Sequence, residues 1–375
     1  MRIQTNFDKN SYEEIGSGNN IFTIAEIGLN HNNNLSLAKK MIDAAKEAGC
    51  SSVKFQNFNT DDVYVGGDKA GKYNLLGKKI EIYDLHKSLE ISLDMIKELH
   101  EYSSNKNIIF FSSPIGIKSL DDLDEAGVNL YKISSYEISN LPFLSEAASR
   151  KKPIIMSTGG ATLSEVERAL DTIYNFHSDV SLMHCLIKYP ANFEDANLKI
   201  MNTLKEAFGI PVGFSNNGFR DSNGDIDFSK IPSAVSNLGA DLYEIHITLD
   251  RKMEGVDQGF STEPNELKKM IKLMNDNRKK FLEGQAEPVD EDLLGSGIKR
   301  TLEADKYVRR FAYKCIFSTK PIKKGDFFNE SNIKTLRPGE SDRGLEPLFY
   351  ELILNKAKAK RNISENEPIN WADIF

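Results

Sequence analysis

Tyr131-Lys132-Ile133-Ser134-Ser135-Tyr136-Glu137, closed by Leu141-Pro142, is the stretch on which the fold turns. An apolar run leads into it and a polar run follows. It reads as a strand whose end releases a lysine, two hydroxyls and a carboxylate within seven residues. Such a strand end is equipped to hold a small anion and to move a proton beside it.

The same grammar repeats on both sides. Upstream, residues 21–27, 52–56 and 108–111 are short apolar runs that end in polar residues. Downstream, residues 153–156, 180–184, 210–214 and 242–246 do the same. Between them lie amphipathic segments at 35–48, 92–105, 117–126, 142–150, 163–176, 197–207, 230–238 and 264–282. Gly49 stops the first segment, and Thr162 with Glu165 three residues on forms a capping box for the one at 163. Strands alternating with helices imply a parallel sheet covered on both faces. Eight such units over about 265 residues have the content and size of a (β/α)8 TIM barrel. A doubly wound sheet is the competing fold, but no strand runs into a Gly-x-Gly-x-x-Gly turn.

The remaining segments flank or interrupt that domain, which spans 20–285. Residues 1–19 are a polar N-terminal extension. Residues 57–90 form a long polar insert, and a structureless loop of that length is expected to be functional, as a lid. Residues 286–310 are charged and contain glycine, as a linker would. Residues 311–375 change character and read as a compact α+β module.

Composition limits the function. The net charge of −7 argues against a nucleic-acid partner, so an anionic substrate needs a local cluster of cations. The three cysteines are widely spaced, without metal-site spacing, and suit a reducing compartment. No apolar run reaches the roughly 18 residues of a membrane span, and the N-terminus has no signal-peptide core. A soluble cytoplasmic protein is expected.

In a barrel the chemistry sits where the strands end. Those ends offer Glu26; Lys54 and Gln56; Ser113; Lys132, Ser135 and Glu137; Ser157; Tyr189; Ser215 and Asn217; Glu244 and His246. Two lysines with several hydroxyls suit a phosphate. A lysine is ordinarily solvated, but Lys54 lies between Val53 and Phe55 inside an apolar strand. His184, also near a strand end, is more simply a core histidine. The residues alone point to a barrel enzyme acting on a small phosphate- or carboxylate-bearing molecule. A Schiff-base role for Lys132, as in an aldolase, stays open.

Ile24 to His31, Val53-Lys54-Phe55-Gln56, Tyr131 to Glu137, Ser157-Thr158-Gly159, His184-Cys185 with Tyr189-Pro190, and Glu244-x-His246-x-Thr248 resemble the sialic acid synthase family. Arg337-Pro338-Gly339 resembles the antifreeze-like (SAF) domain that ends its members. The resemblance implies condensation of phosphoenolpyruvate with an N-acylated amino sugar in its open-chain aldehyde form. The product is a nine-carbon 2-keto sugar acid plus phosphate. It assigns Lys54, Ser113, Lys132, Ser135, Ser157 and Ser215 to phosphoenolpyruvate, and Glu26 and Glu137 to acid–base and orienting work. Gln56, Tyr189 and Asp257 fall on the sugar side. It further implies a domain-swapped homodimer in which the small domain caps the partner's barrel and Arg337 acts in trans.

One departure concerns metal. The family usually places Ser-Asp-His-Thr where this chain has Ser215-Asn216-Asn217-Gly218. That histidine and the one matching His246 hold a divalent ion in the family. Asn217 offers only a neutral amide oxygen, a weaker ligand than imidazole. The expectation is a weakly bound Mn²⁺ or Mg²⁺, or no metal, with Asn217 instead donating to the aldehyde oxygen. Ile187, where some members have asparagine, tilts the acceptor toward a less polar sugar. The acidic loop 219–229, with Asp221, Asp225 and Asp227, has no assigned role. The alternatives to an active synthase are a catalytically impaired sugar- or phosphoenolpyruvate-binding relative and a lysine-dependent aldolase.

Overall fold

A computed structural model describes the chain except residues 9, 17, 76–77, 190 and 221–225. Its strands β1 (Phe22–Gly28), β2 (Ser52–Phe58), β3 (Ile109–Ile115), β4 (Tyr131–Ile133), β5 (Ile154–Ser157), β6 (Val180–Cys185), β7 (Val212–Asn216) and β8 (Leu242–His246) are parallel and close into a barrel in chain order. Nearly every residue of these strands is buried, because helices cover one face and barrel-interior side chains the other.

Local chemistry sets the helix ends. For α1 (Leu35–Ala48), Asn34 Oδ1 accepts the Leu37 N–H at 3.0 Å and Gly49 ends it at a φ of 91°. Apolar spacing at i, i+3, i+4 and i+7 buries Ala38, Met41, Ile42 and Ala45. The helix Leu163–Tyr174 starts with the expected capping box of Thr162 and Glu165. The last barrel helix, Pro264–Leu282, packs against α1 and the helix Lys230–Asn237, sealing the ring.

Three segments differ from expectation. Residues 1–19 include an antiparallel hairpin, Arg2–Gln4 with Tyr12–Glu14. Ile3 and Ile15 join the barrel core, two isolated apolar residues that no periodicity could flag. The insert is also not structureless. It contains a hairpin, Lys72–Leu75 with Lys78–Glu81, and a helix, Ile82–Leu89. Val63, Tyr64, Ile82 and Leu89 pack with Phe58 and Ile115, so it is a built wall. The segment 286–310 is no free linker: Leu293 belongs to the core, and Lys299 and Asp305 are buried against the barrel.

The C-terminal module pairs Cys315–Ser318 antiparallel with Ile333–Leu336 around a small core of Ile316, Phe328, Ile333, Ile353 and Ile369. It docks on its own chain's barrel. Val65 of the insert packs with Cys315, Phe317 and Leu336. Among the described residues, no helix is long and apolar enough to cross a membrane.

Candidate active site

Strand register assembles the charged residues. Glu26 on β1 lies opposite Lys54 on β2, and Ser215 on β7 opposite Glu244 on β8. Lys54 Nζ is 2.7 Å from Glu26 Oε2 and 3.6 Å from Glu244 Oε1, and it donates to Ser113 Oγ at 3.2 Å. Lys132 Nζ donates to Ser157 Oγ at 2.7 Å and lies 3.4 Å from Glu244 Oε2. Gln56 Nε2 donates to Glu26 Oε1 at 2.9 Å, and Ser215 Oγ to Glu244 Oε1 at 3.2 Å. A β-bulge after Glu26 brings Gly28 to a φ of 53°, where a Cβ would lie 3.0 Å from Glu26 Oε1. Glycine suits both the backbone turn and the narrow space beside the carboxylate.

All four ions of this cluster are buried, and ions out of water are costly unless compensated. Compensation is uneven. At Lys54 burial opposes the charge, but Glu244 and Glu26 outweigh it and raise the pKa. At Lys132 burial prevails over attraction from Glu244, Lys54 adds repulsion, and the pKa is lowered. Burial would raise Glu244, yet Lys132, Lys54 and His246 hold it below the usual carboxylate value. Lys132 is thus the less compensated of the two buried lysines, a condition an arriving anion relieves.

The cluster faces one cavity at the strand ends. Glu26, Lys54, Lys132 and Glu244 line it with Ser113, Ser135, Ser157 and Ser215. Gln56, Tyr189, His246 and Arg337 line its remaining polar side, and Phe58, Ile115 and Ile187 its apolar side. Twelve of the fifteen residues singled out from sequence therefore meet at one place. Arg337 arrives from the C-terminal module of the same chain. Its N–H donates to Val63 O at 2.7 Å, and its carbonyl accepts the Val65 N–H at 3.2 Å. Its guanidinium lies over Tyr136 at 4.6 Å from the ring centroid and over Tyr64 at 5.5 Å. In this single chain the insert ties Arg337 to its own barrel, whereas the resemblance implies that the arginine acts in trans.

Three expected site residues do not line the cavity. Glu137 is fully buried; its Oε1 lies 3.2 Å from Lys314 Nζ, and its Oε2 accepts Asn140 Nδ2 at 2.7 Å. It joins the barrel to the start of the C-terminal module instead of lining the cavity. Asn217 donates its amide to the Leu186 carbonyl, which turns that group from the aldehyde-binding role considered for it. Asp257 sits behind His246, with Oδ2 at 3.8 Å from Nδ1. His184 is a core histidine: its Nε2 meets Ala196 O at 2.9 Å, and burial pushes its pKa down to about 3. Pro190, Asp221 and Asp225 lie outside the described residues.

A divalent ion finds few donors here. His246 Nδ1 is buried without a hydrogen-bond partner and so is a free donor. Asn217 donates its Nδ2 to Leu186 and so has only a neutral amide oxygen to offer, and among the described residues no three His, Cys, Asp or Glu side chains group as a metal site. The side chains present do not fit a tight divalent site.

Sequence reading passed over His86, Tyr136 and Lys314. His86 lines the cavity from the insert helix; its Nδ1 meets Ile82 O at 3.0 Å. Burial, aided by Arg337, brings its pKa down to about 4, so it is neutral at pH 7. A cue existed in Tyr136, which stands between two residues of the quoted stretch. His86 and Lys314 carried none, since distant packing brings His86 to the cavity and Lys314 to the buried Glu137.

The NeuB family model matches residues 41–285 and the SAF domain model residues 313–374. The chain is 39% identical over 364 residues to the spore coat polysaccharide biosynthesis protein SpsE of Bacillus subtilis, covering 96% of this chain and 95% of that one. It is 36% identical over 351 residues to the N,N'-diacetyllegionaminic acid synthase of Campylobacter jejuni, covering 92% and 98%. The crystal structure of Bacillus subtilis SpsE superposes with a TM-score of 0.85 at 37% identity over 98% of both chains.

Proposed function

The chain belongs to the NeuB family, and from that membership we propose that it condenses phosphoenolpyruvate with an N-acylated amino sugar to a nonulosonic acid. The observation that carries the reading is the convergence of Lys54, Lys132 and Arg337 with five serines at one strand-end cavity that, among the described residues, is lined by only two carboxylates. Lys132 with Ser157, and Lys54 with Ser113, would hold the phosphate; Gln56, Tyr189 and Arg337 lie where the sugar would enter. The enol carbon of phosphoenolpyruvate attacks the aldehyde carbon, and a C–C bond forms. Water adds at C2, and phosphate leaves with the C2 oxygen bond broken. The aldehyde oxygen takes up a proton, and Glu26, beside Lys54 and Gln56, is positioned to manage it. Charge develops on that oxygen and at C2, so fixed cations supply most of the acceleration.

Phosphate release from phosphoenolpyruvate across a panel of N-acylated amino sugars is the test. Release with none of them, by folded protein, sinks the reading. A second reading draws on the lowered pKa of Lys132, the state a Schiff-base lysine needs. Borohydride with an aldehyde or keto acid would then attach covalently at Lys132, and under the synthase reading it does not.

Turnover is expected to survive exhaustive chelation, because the donors around His246 do not make a tight site. If EDTA abolishes turnover and micromolar Mn²⁺ restores it fully, that expectation is wrong. From the position of Arg337 in its own chain's cavity we expect it to act in cis. Mixing Arg337→Ala protein with Lys132→Ala protein should restore no activity once subunit exchange, if the protein associates, is verified by mass labelling. Restored turnover in the mixture would place the arginine in trans.

A further inference from the structure

The segment that follows the barrel does more than connect. Lys299 Nζ donates to Thr158 O, Tyr313 OH donates to Gly159 O, and Thr301 Oγ1 and Arg309 both donate to Gly160 O at 2.8 Å. Every carbonyl of the Thr158-Gly159-Gly160 turn after β5 is therefore held from behind by this one segment. The other face of the turn meets Ser135, which lines the cavity. The Gly159 N–H donates to Ser135 Oγ at 2.9 Å, and the residue before the turn is Ser157, the partner of Lys132.

Thr158 C=O and Gly159 N–H are two ends of one peptide plane. In a trans peptide they point in opposite directions and move as a rigid unit. A grip on the carbonyl from outside therefore aims the N–H inward. A cationic donor on the carbonyl also polarises the amide and strengthens its N–H as a donor. The turn has no slack to find this orientation otherwise: a Cβ at Gly159 would lie 2.7 Å from Ile187 and 2.9 Å from Ser135 Oγ.

We propose that Lys299 is a positioning residue for the anion cradle: through the Thr158–Gly159 peptide it fixes the Ser135 hydroxyl and the turn next to Ser157, with Tyr313 securing the following peptide. Burial lowers the Lys299 pKa to about 8, which leaves it charged at neutral pH and able to act this way. The role explains why a lysine is only 6% exposed in a segment whose composition suggests a linker. It also joins the C-terminal module to the cavity, since Tyr313 is adjacent to Lys314, the partner of Glu137.

The inference rests on the synthase reading only for its kinetic arm. Lys299→Met should raise the KM for phosphoenolpyruvate and the Kd of inorganic phosphate about tenfold, with the KM for the sugar within about twofold, as loss of one charge-assisted bond implies. Lys299→Arg should recover part of the loss. Tyr313→Phe, which removes a single hydroxyl, should shift the same two constants in the same direction by about threefold and serves if the methionine variant fails to fold. Unchanged phosphate affinity in the folded variants overturns the proposal, as does an equal rise in the KM for both substrates. Failure of wild-type protein to bind phosphate overturns it too. If wild-type protein binds phosphate and the variants bind it less well, while no sugar supports turnover, the synthase reading falls and the positioning role stands.

Discussion

Lys132→Ala is expected to lower kcat/KM for phosphoenolpyruvate by at least about 2–3 kcal/mol of transition-state stabilisation, roughly 30- to 150-fold. Two losses combine. The charge-assisted bond from Nζ to Ser157 Oγ disappears, and with it the less compensated of the two buried cations. Glu244 then keeps only Lys54, at 3.6 Å, and turns from a neutralised carboxylate into one that repels an incoming phosphate. Lys54→Ala should cost a similar amount by a different route, since it frees Glu26 Oε2, for which no other hydrogen-bond partner exists among the described residues. Steady-state phosphate release at low phosphoenolpyruvate measures both. Near-wild-type turnover by either variant would mean that the anion binds elsewhere.

The barrel was legible because its signal is local and repeated. Strands such as Val180–Cys185 are buried on both faces and so are largely apolar, and this one is followed by an amphipathic helix that Gly209 stops. The charged half of the site was legible for the same reason. Lys54 and Glu26 stand out only because they interrupt runs that should be apolar, and strand register then makes them meet. What escaped reading is what depends on contacts distant in the chain. Lys299 reaches Thr158 across 141 positions and Tyr313 reaches Gly159 across 154, and neither leaves a periodic trace near itself. The same holds for Glu137. Its place beside Lys132 and Ser135 suggested a catalytic carboxylate, but the short turn Ser135–Glu137 directs it away from the cavity lining, toward Lys314. The resemblance supplied names for positions, and packing decided which of them face the cavity.

Glu244→Gln is expected to be the most destabilising single polar change in the barrel, at about 3–5 kcal/mol, because it leaves two buried lysines without their shared counter-ion. Glu244 is the only carboxylate within 4 Å of Lys132 Nζ among the described residues, and the second one near Lys54. Against a typical total of roughly 5–15 kcal/mol, such a loss would leave a marginal fold. The pH dependence follows from its lowered pKa. A carboxylate whose folded pKa is depressed stabilises the fold above its unfolded value, here near 4.5, and that contribution is lost as pH falls through the folded value. The wild type should therefore lose stability on acidification in a window below about pH 4.5 to which the glutamine variant responds less. The variant should also be rescued by what the site is built to receive. Inorganic phosphate supplies the missing negative charge between Lys54 and Lys132, so it should raise the Tm of Glu244→Gln more than that of the wild type at equal concentration. Removing one of the unpaired charges, in Glu244→Gln with Lys132→Met, should likewise recover part of the lost stability. Denaturant unfolding and thermal scans with and without phosphate decide it. A glutamine variant within about 1 kcal/mol of the wild type, or one that phosphate stabilises no more than the wild type, would show that the lysines do not depend on Glu244 and that the cavity is not an anion site held in waiting.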